Sequence, residues 1–275
     1  MPEERLQKII ARSGLCSRRD ADRMISEGRV TVDGREAKLG EKVDAAVAHI
    51  KVDGKVIKAP ETLRYLLLYK PRQVMTTCDD PEERKTVLDL VRSVVRERVY
   101  PVGRLDYHSE GLLILTNDGE LAARVAHPRH GVVREYLVKI RGDLDRDEYN
   151  KLMAGTSIAG CHVKPRLAKR DSKGRGGNTT WWRVEVTEGR THEVRELFFR
   201  AGHHVQRLRR TAVGPLRDDS LNPGDFRTIT ESEIKALRRV TSSKSNRASA
   251  PTHRSRGQRP ERSKKSGGKS PKRSR

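Results

Sequence analysis

Gly103-Arg104-Leu105-Asp106-Tyr107-His108-Ser109-Glu110-Gly111 runs directly into Leu112-Leu113-Ile114-Leu115-Thr116-Asn117-Asp118-Gly119. A polar loop with one Asp between two glycines feeds a buried strand. Asp118 then caps a helix that extends to Ala126 and is closed by Pro128. A loop held on so rigid a scaffold is a good place for a catalytic group. Taken alone, Asp106 is either a loop-structuring carboxylate or a catalyst.

Working outward, further strands are expected at Tyr65 to Tyr69, Arg134 to Ile140, Val163 to Ala168 and Trp181 to Thr187. Tyr136, Val138 and Ile140 share one face by the two-residue period. Of Trp181 and Trp182, alternation sends one indole to the core and the other outward. A helix from Thr191 to Ala201, ended by Gly202, carries its apolar stripe on Val194, Leu197, Phe198 and Ala201. His192, Arg195 and Phe199 lie on an adjacent face, so Arg195 sits at the core margin, where a guanidinium needs a carboxylate partner. Strands mixed with single helices predict an α+β domain with a mainly antiparallel mixed sheet.

The first 60 residues read as a separate module. Leu6, Ile9 and Ile10 have helical spacing up to Gly14; a second helix starts at Ser17, whose hydroxyl caps Asp20, and stops at Gly28. Short strands around Arg29 to Val32 and Ile50 to Val52 are each followed by an Asp-Gly turn. Arg18, Arg19 and Arg23 form a basic helix edge with Arg5, Arg12, Arg29 and Lys42 nearby in sequence, which is either an RNA-binding edge or a solvated face.

The chain has 275 residues and 59 Lys and Arg against 37 Asp and Glu, a formal net charge of +22. A polyanion is the default partner of such a chain. Half of the excess lies in residues 241–275, which carry twelve Lys and Arg against one Glu and almost no apolar side chains. This tail is expected to be disordered and to add nonspecific RNA affinity. The division expected is residues 1–60, 61–240 and 241–275. No apolar run approaches the roughly 20 residues of a membrane span, and the charged N-terminus does not read as a signal peptide, so a cytoplasmic protein is expected. Cys16, Cys78 and Cys161 are too far apart for a zinc or disulfide framework. His203-His204, in a strand, would point to opposite faces and make poor joint metal ligands.

Two resemblances cover residues 3 to 240. Arg5-Leu6-Gln7-Lys8, Ser17-Arg18-Arg19 and Gly28-Arg29-Val30-Thr31-Val32-Asp33-Gly34 resemble the small RNA-binding domain named after ribosomal protein S-four. The Gly103 to Gly119 stretch, Arg134-Glu135-Tyr136, and Glu188-Gly189-Arg190 with Val194-Arg195 resemble pseudouridine synthases, in the bacterial ribosomal branch with an S-four-type domain in front. Lys70-Pro71 and Gly214-Pro215-Leu216 also follow that layout. The resemblance implies Asp106 as catalytic carboxylate, Tyr136 beside the base and Arg195 as partner of the aspartate. It further implies ribosomal RNA as the substrate, with large-subunit RNA preferred, and no cofactor or metal. Arg104, Arg190 and His192 are expected to contact RNA along with Arg5, Arg18, Arg19, Arg23 and Arg29. His108 and Ser109 depart from the family's usual residues and affect only local loop contacts. A monomer is expected.

Three other readings compete. A noncatalytic RNA-binding protein would share the charge but does not account for the three motifs. A synthase acting on small-subunit RNA differs only in substrate. A glycoside-type hydrolase would pair Asp106 with Glu110.

Overall fold

A computed structural model describes residues 3–171 and 178–243. The glycine-rich stretch 173–178, expected from the sequence to be hairpin-like, and the basic tail therefore lie almost wholly outside the described residues.

In the N-terminal module Leu6, Ile9 and Ile10 are buried on α1 (Leu6–Arg12). The Ser17 hydroxyl accepts the Asp20 N–H at 3.1 Å and so starts α2 (Arg18–Ser26). Strands β1 (Val30–Val32) and β2 (Ile50–Val52) pair antiparallel at the centre of a four-stranded sheet. The outer strands follow Asp33-Gly34 and Asp53-Gly54, whose φ angles are all positive (52°, 84°, 50° and 75°). That conformation gives a two-residue hairpin the right twist, and Asp-Gly tolerates it best. The helices close over this sheet around Leu6, Ile10, Ile25, Val30 and Val52.

The module is fastened to the rest of the chain by hydrogen bonds to its backbone carbonyls. Glu61 N–H donates to Arg12 O at 3.0 Å, and the Arg98 guanidinium donates to Cys16 O at 3.1 Å.

Beyond it a nine-stranded sheet forms the second domain. Its principal strands are β3 (Tyr65–Lys70), β4 (Glu110–Thr116), β5 (Arg134–Arg141), β6 (Leu167–Arg170), β7 (Thr179–Val186), β8 (Val205–Val213) and β9 (Phe226–Thr228). Their order is β6-β7-β5-β8-β4-β3-β9, antiparallel throughout except for the parallel pair β8 and β4. Alternation along β4 sends Leu113 and Leu115 into one apolar layer and Leu112 and Ile114 into the other. Apolar on both faces, this strand anchors the sheet, and truncating a fully buried Leu there to Ala would cost about 2–5 kcal/mol. The first layer includes α5 (Glu193–Arg200); the second is closed by α3 (Gly119–Ala126) and α6 (Glu231–Ser243).

The structure departs from the sequence reading in four places. The strand expected at 163–168 is broken: Cys161–Val163 ends a hairpin with Thr156–Ile158, and β6 starts at Leu167. Pro165 lies in the gap and has no N–H with which to continue a ladder. Helix α4 (Arg146–Ala154), unanticipated, is started by a reciprocal capping box between Asp145 and Glu148. His203 and His204 precede β8 instead of lying in a strand. His203 contacts Glu148 at 3.0 Å, whereas His204 stacks beside Phe199. Finally, order persists past residue 240: Thr241 is buried in α6, its hydroxyl bonded to Leu237 O and its carbonyl to His130.

Candidate active site

The loop from Gly103 to Ser109 is held from beneath. Leu105 inserts into the core, and Thr76 Oγ1 both donates to its carbonyl (2.6 Å) and accepts from its N–H (3.3 Å). Gln73 N–H donates to Tyr107 O at 2.7 Å. Lys70, at the end of β3 on the face of Leu66 and Leu68, is fully buried. Its ammonium donates to Pro71 O at 2.9 Å, Asp106 O at 3.1 Å and Ser109 O at 2.9 Å. Burial pushes its pKa down to about 8, opposed in part by the Asp106 charge. Gly111 ends the loop where β4 joins β8 in parallel. A Cβ there would lie 2.2 Å from Arg210 O, and φ is +114°, so only glycine lets the two backbones meet.

Helix α5 supplies the groups that face Asp106. His192, in a left-handed conformation at the helix start, places Nε2 3.5 Å from Asp106 Oδ1. Arg195, one turn on, places Nε 3.7 Å from Oδ2, an ion contact too long for a hydrogen bond. The same guanidinium donates to Ser109 Oγ at 3.3 Å and Val205 O at 3.2 Å, which fixes its direction. Ser109, the departure from the family pattern, is therefore a support for Arg195.

Asp106, Tyr136, Arg190 and His192 line one cavity of ≈ 230 Å³, with Arg134 and Arg210 at its base. Tyr136 is buried on β5 beside Val138 and Ile140, so the period read from sequence holds. Arg134 donates to Val125 O and Thr187 O, both at 3.0 Å, and burial lowers its pKa. Arg210 donates to Leu112 O at 2.7 Å. Glu193, also buried, accepts the Arg190 N–H at 2.9 Å and thereby closes the turn before α5; burial pushes its carboxyl up. Lys70, Arg134, Arg210 and Glu193 are not among the site residues expected from the sequence; for Lys70 the two-residue period shared with Leu66 and Leu68 is a signal that could have found it.

Arg104 is exposed and reaches across the cavity mouth to Thr191 Oγ1 at 3.3 Å. Arg190 donates to Cys161 Sγ at 2.7 Å. Glu110 does not line the cavity; it is buried against Arg207 (2.9 Å) and Arg209 (3.6 Å), so no second carboxylate is presented from that position.

The N-terminal arginines do not make one continuous edge. Arg23 is paired with Asp20 at 3.1 Å, and Arg29 with Asp53 at 2.8 Å and Glu27 at 3.1 Å. Arg19 is exposed, and Arg5 and Arg18 meet Lys8 and Lys42 around a shallow depression. Arg18 also lines a cleft of ≈ 620 Å³ between the two domains, with Lys8, Arg12, Arg98 and Tyr100. That cleft shares Gly103 and Ala126 with the Asp106 cavity, so the two are contiguous.

Comparison with known proteins agrees with this architecture. Residues 64–199 match the RNA pseudouridylate synthase family and residues 4–46 the S4 domain. The chain is 39% identical over 242 residues to an uncharacterized RNA pseudouridine synthase of Aquifex aeolicus, covering 86% of this chain and 94% of that one. It is also 39% identical over 236 residues to the ribosomal large subunit pseudouridine synthase B of Bacillus subtilis, covering 86% and 96%. A crystal structure of a pseudouridylate synthase superimposes with a TM-score of 0.60 at 26% identity, covering 85% of this chain and 99% of that one. The chain belongs to the RNA pseudouridine synthases, in the branch that carries an N-terminal S4 domain.

Proposed function

We propose that this enzyme isomerises a uridine of large-subunit ribosomal RNA, with Asp106 as the catalytic carboxylate, and that it works as a cytoplasmic monomer. The observation that carries the assignment is that Asp106 and Tyr136, from separate segments, line one cavity, while Arg195 from a third segment stands 3.7 Å from the Asp106 carboxylate. Large-subunit RNA is supported by the similarity to the Bacillus subtilis enzyme over nearly its whole length.

The reaction breaks the bond from N1 to the sugar C1′ and forms one from C5 to C1′. N1 gains a proton and C5 loses one, with no net change of oxidation state. A carboxylate at the sugar begins this either as nucleophile at C1′ or as base toward a sugar proton, and both routes require its negative charge. Arg195 and His192 orient that charge. Tyr136 offers a flat face to the uracil and a hydroxyl for proton movement. The target uridine must leave its stack to enter, and Arg104 stands at the mouth to meet the strand it leaves. Arg190 in the cavity, Arg18 in the contiguous cleft and Arg5 at the depression beyond it add phosphate contacts.

The test is Asp106→Asn, which keeps shape and removes charge. With an unmodified large-subunit ribosomal RNA transcript carrying tritium at uridine C5, the variant should release no tritium above background while its RNA affinity stays within about twofold. Turnover by the variant would refute the role of Asp106.

A further inference from the structure

Phe198 and Phe199 are adjacent in α5 but meet opposite fates. Phe198 is fully buried, while Phe199 is 52% exposed. Phe199 packs against exposed His204, their ring centroids 5.2 Å apart and their planes 58° apart. His192, Arg195 and Phe199 follow one another at three- and four-residue spacing along one face of the helix. The first two touch the Asp106 carboxylate. Phe199 lies one turn beyond Arg195, about 6 Å along the axis.

The pair is also tied to the catalytic loop. Arg195 donates to Val205 O, the residue after His204, while it contacts Asp106 and Ser109. One guanidinium thus joins the backbone beside His204 to the segment that carries the carboxylate. The surroundings suit a phosphate backbone: Arg195 lies one turn before Phe199 on the helix and exposed Arg200 directly follows it, and the acid on the same face, Glu196, is paired with Arg200 at 2.8 Å.

Extruding a uridine leaves its neighbours without a stacking partner on that side, and an exposed aromatic ring beside a cation recovers stacking with any base. We propose that Phe199, backed by His204, is a stacking platform for an unpaired RNA base next to the target uridine. This rests on the proposed reaction, because it is the Asp106 cavity that places the flipped uridine one helical turn away.

The test pairs two readouts on the tritiated large-subunit ribosomal RNA transcript: dissociation constant and tritium release. Phe199→Ala and Phe199→Leu should each weaken binding about tenfold, within the range for one stacked base. The loss in kcat/KM should be carried by KM. Phe199→Trp should restore both, which a purely structural role would not require of so exposed a ring. Wild-type affinity and KM in Phe199→Leu would overturn the platform even with tritium release intact. Weakened binding by Phe199→Ala, rescued by Trp, with a wild-type enzyme that releases no tritium, would uphold the platform and refute the reaction instead. Unchanged RNA binding together with loss of self-association in Phe199→Ala by light scattering would also overturn it, identifying a second copy of the chain as the occupant.

Discussion

Replacing Lys70 by Met should separate catalysis from stability. The substitution nearly keeps side-chain volume but removes a fully buried ammonium that donates to three carbonyls, those of Pro71, Asp106 and Ser109. Two terms of similar size oppose each other. Burial has lowered the lysine pKa from 10.5 to about 8, a penalty of roughly 3 kcal/mol on the charged form that the variant escapes. Against this, a buried carbonyl left without a donor costs about 1–3 kcal/mol, and of the three only that of Ser109 is fully enclosed, the other two being open to water as a replacement donor. The net change in stability should therefore be no more than about 3 kcal/mol, or a melting shift below roughly 10 °C at this chain length.

Activity has no such compensation. The Asp106 backbone is held by that ammonium, and with Asp106 in its proposed role, misplacing it by about 1 Å costs on the order of 100-fold. Tritium release by Lys70→Met should fall by about that factor while the protein still melts cooperatively. Release within about threefold of wild type would show that the three carbonyl bonds do not set the loop. The pH dependence offers a second check. Below pH 8 both folded and unfolded chains hold the Lys70 proton. Between about 8 and 10.5 only the unfolded chain does, so this residue makes wild-type stability rise with pH across that window. Relative to Lys70→Met, wild type should gain up to about 3 kcal/mol there, and a flat difference would refute the depressed pKa.

Two further perturbations probe the scaffold. Gly111→Ala would place a Cβ 2.2 Å from Arg210 O and 2.6 Å from Arg210 N at a φ of +114°; it should cost at least roughly 3 kcal/mol by thermal melting, and an unchanged melting point would refute the close approach. Glu135 is buried on the other face of β5, where Arg217 above all, with Thr211 and Arg183, lowers its pKa from 4.5 to about 2. Its contribution of about 3 kcal/mol is full above pH 4.5 and lost as pH falls toward 2, so Glu135→Gln should destabilise the enzyme at pH 7 but much less near pH 2. Denaturant titrations at the two pH values check this, and an equal loss at both would refute it.

What the sequence made legible was set by local physics. Period two placed Tyr136 inward, the Ser17 hydroxyl capped α2, and the Asp-Gly turns fixed both hairpins of the first module. These signals lie within a few residues of what they control. Lys70 illustrates why the rest was hidden: alternation sends it inward, its charge argues outward, and the decision rests on carbonyls from a loop 36 residues downstream. The expected strand at 163–168 failed for a local reason, Pro165, that was present but outweighed by the apolar pattern. The N-terminal arginines were legible as basic; the Arg29 pair with Asp53, 24 residues away, was hidden, whereas the Arg23 pair with Asp20 at i,i+3 spacing was a local signal outweighed by the run of basic residues.

The buried cations also explain how one carboxylate can be presented to a polyanion without being neutralised by the protein itself. Lys70, Arg134 and Arg210 face inward, but every hydrogen bond named for them above ends on a backbone carbonyl. Carbonyls accept firmly without cancelling charge, so these groups fix the loop and keep the cavity's potential positive. Arg195 is the exception that reaches the carboxylate, and its 3.7 Å separation leaves Asp106 oriented yet not locked in a short ion pair. On the proposed role of Asp106, a guanidinium bonded tightly and bidentately there would stabilise the resting carboxylate more than the transition state and so slow the reaction. Ser109 and Val205 O, by accepting from Arg195, hold it at that distance.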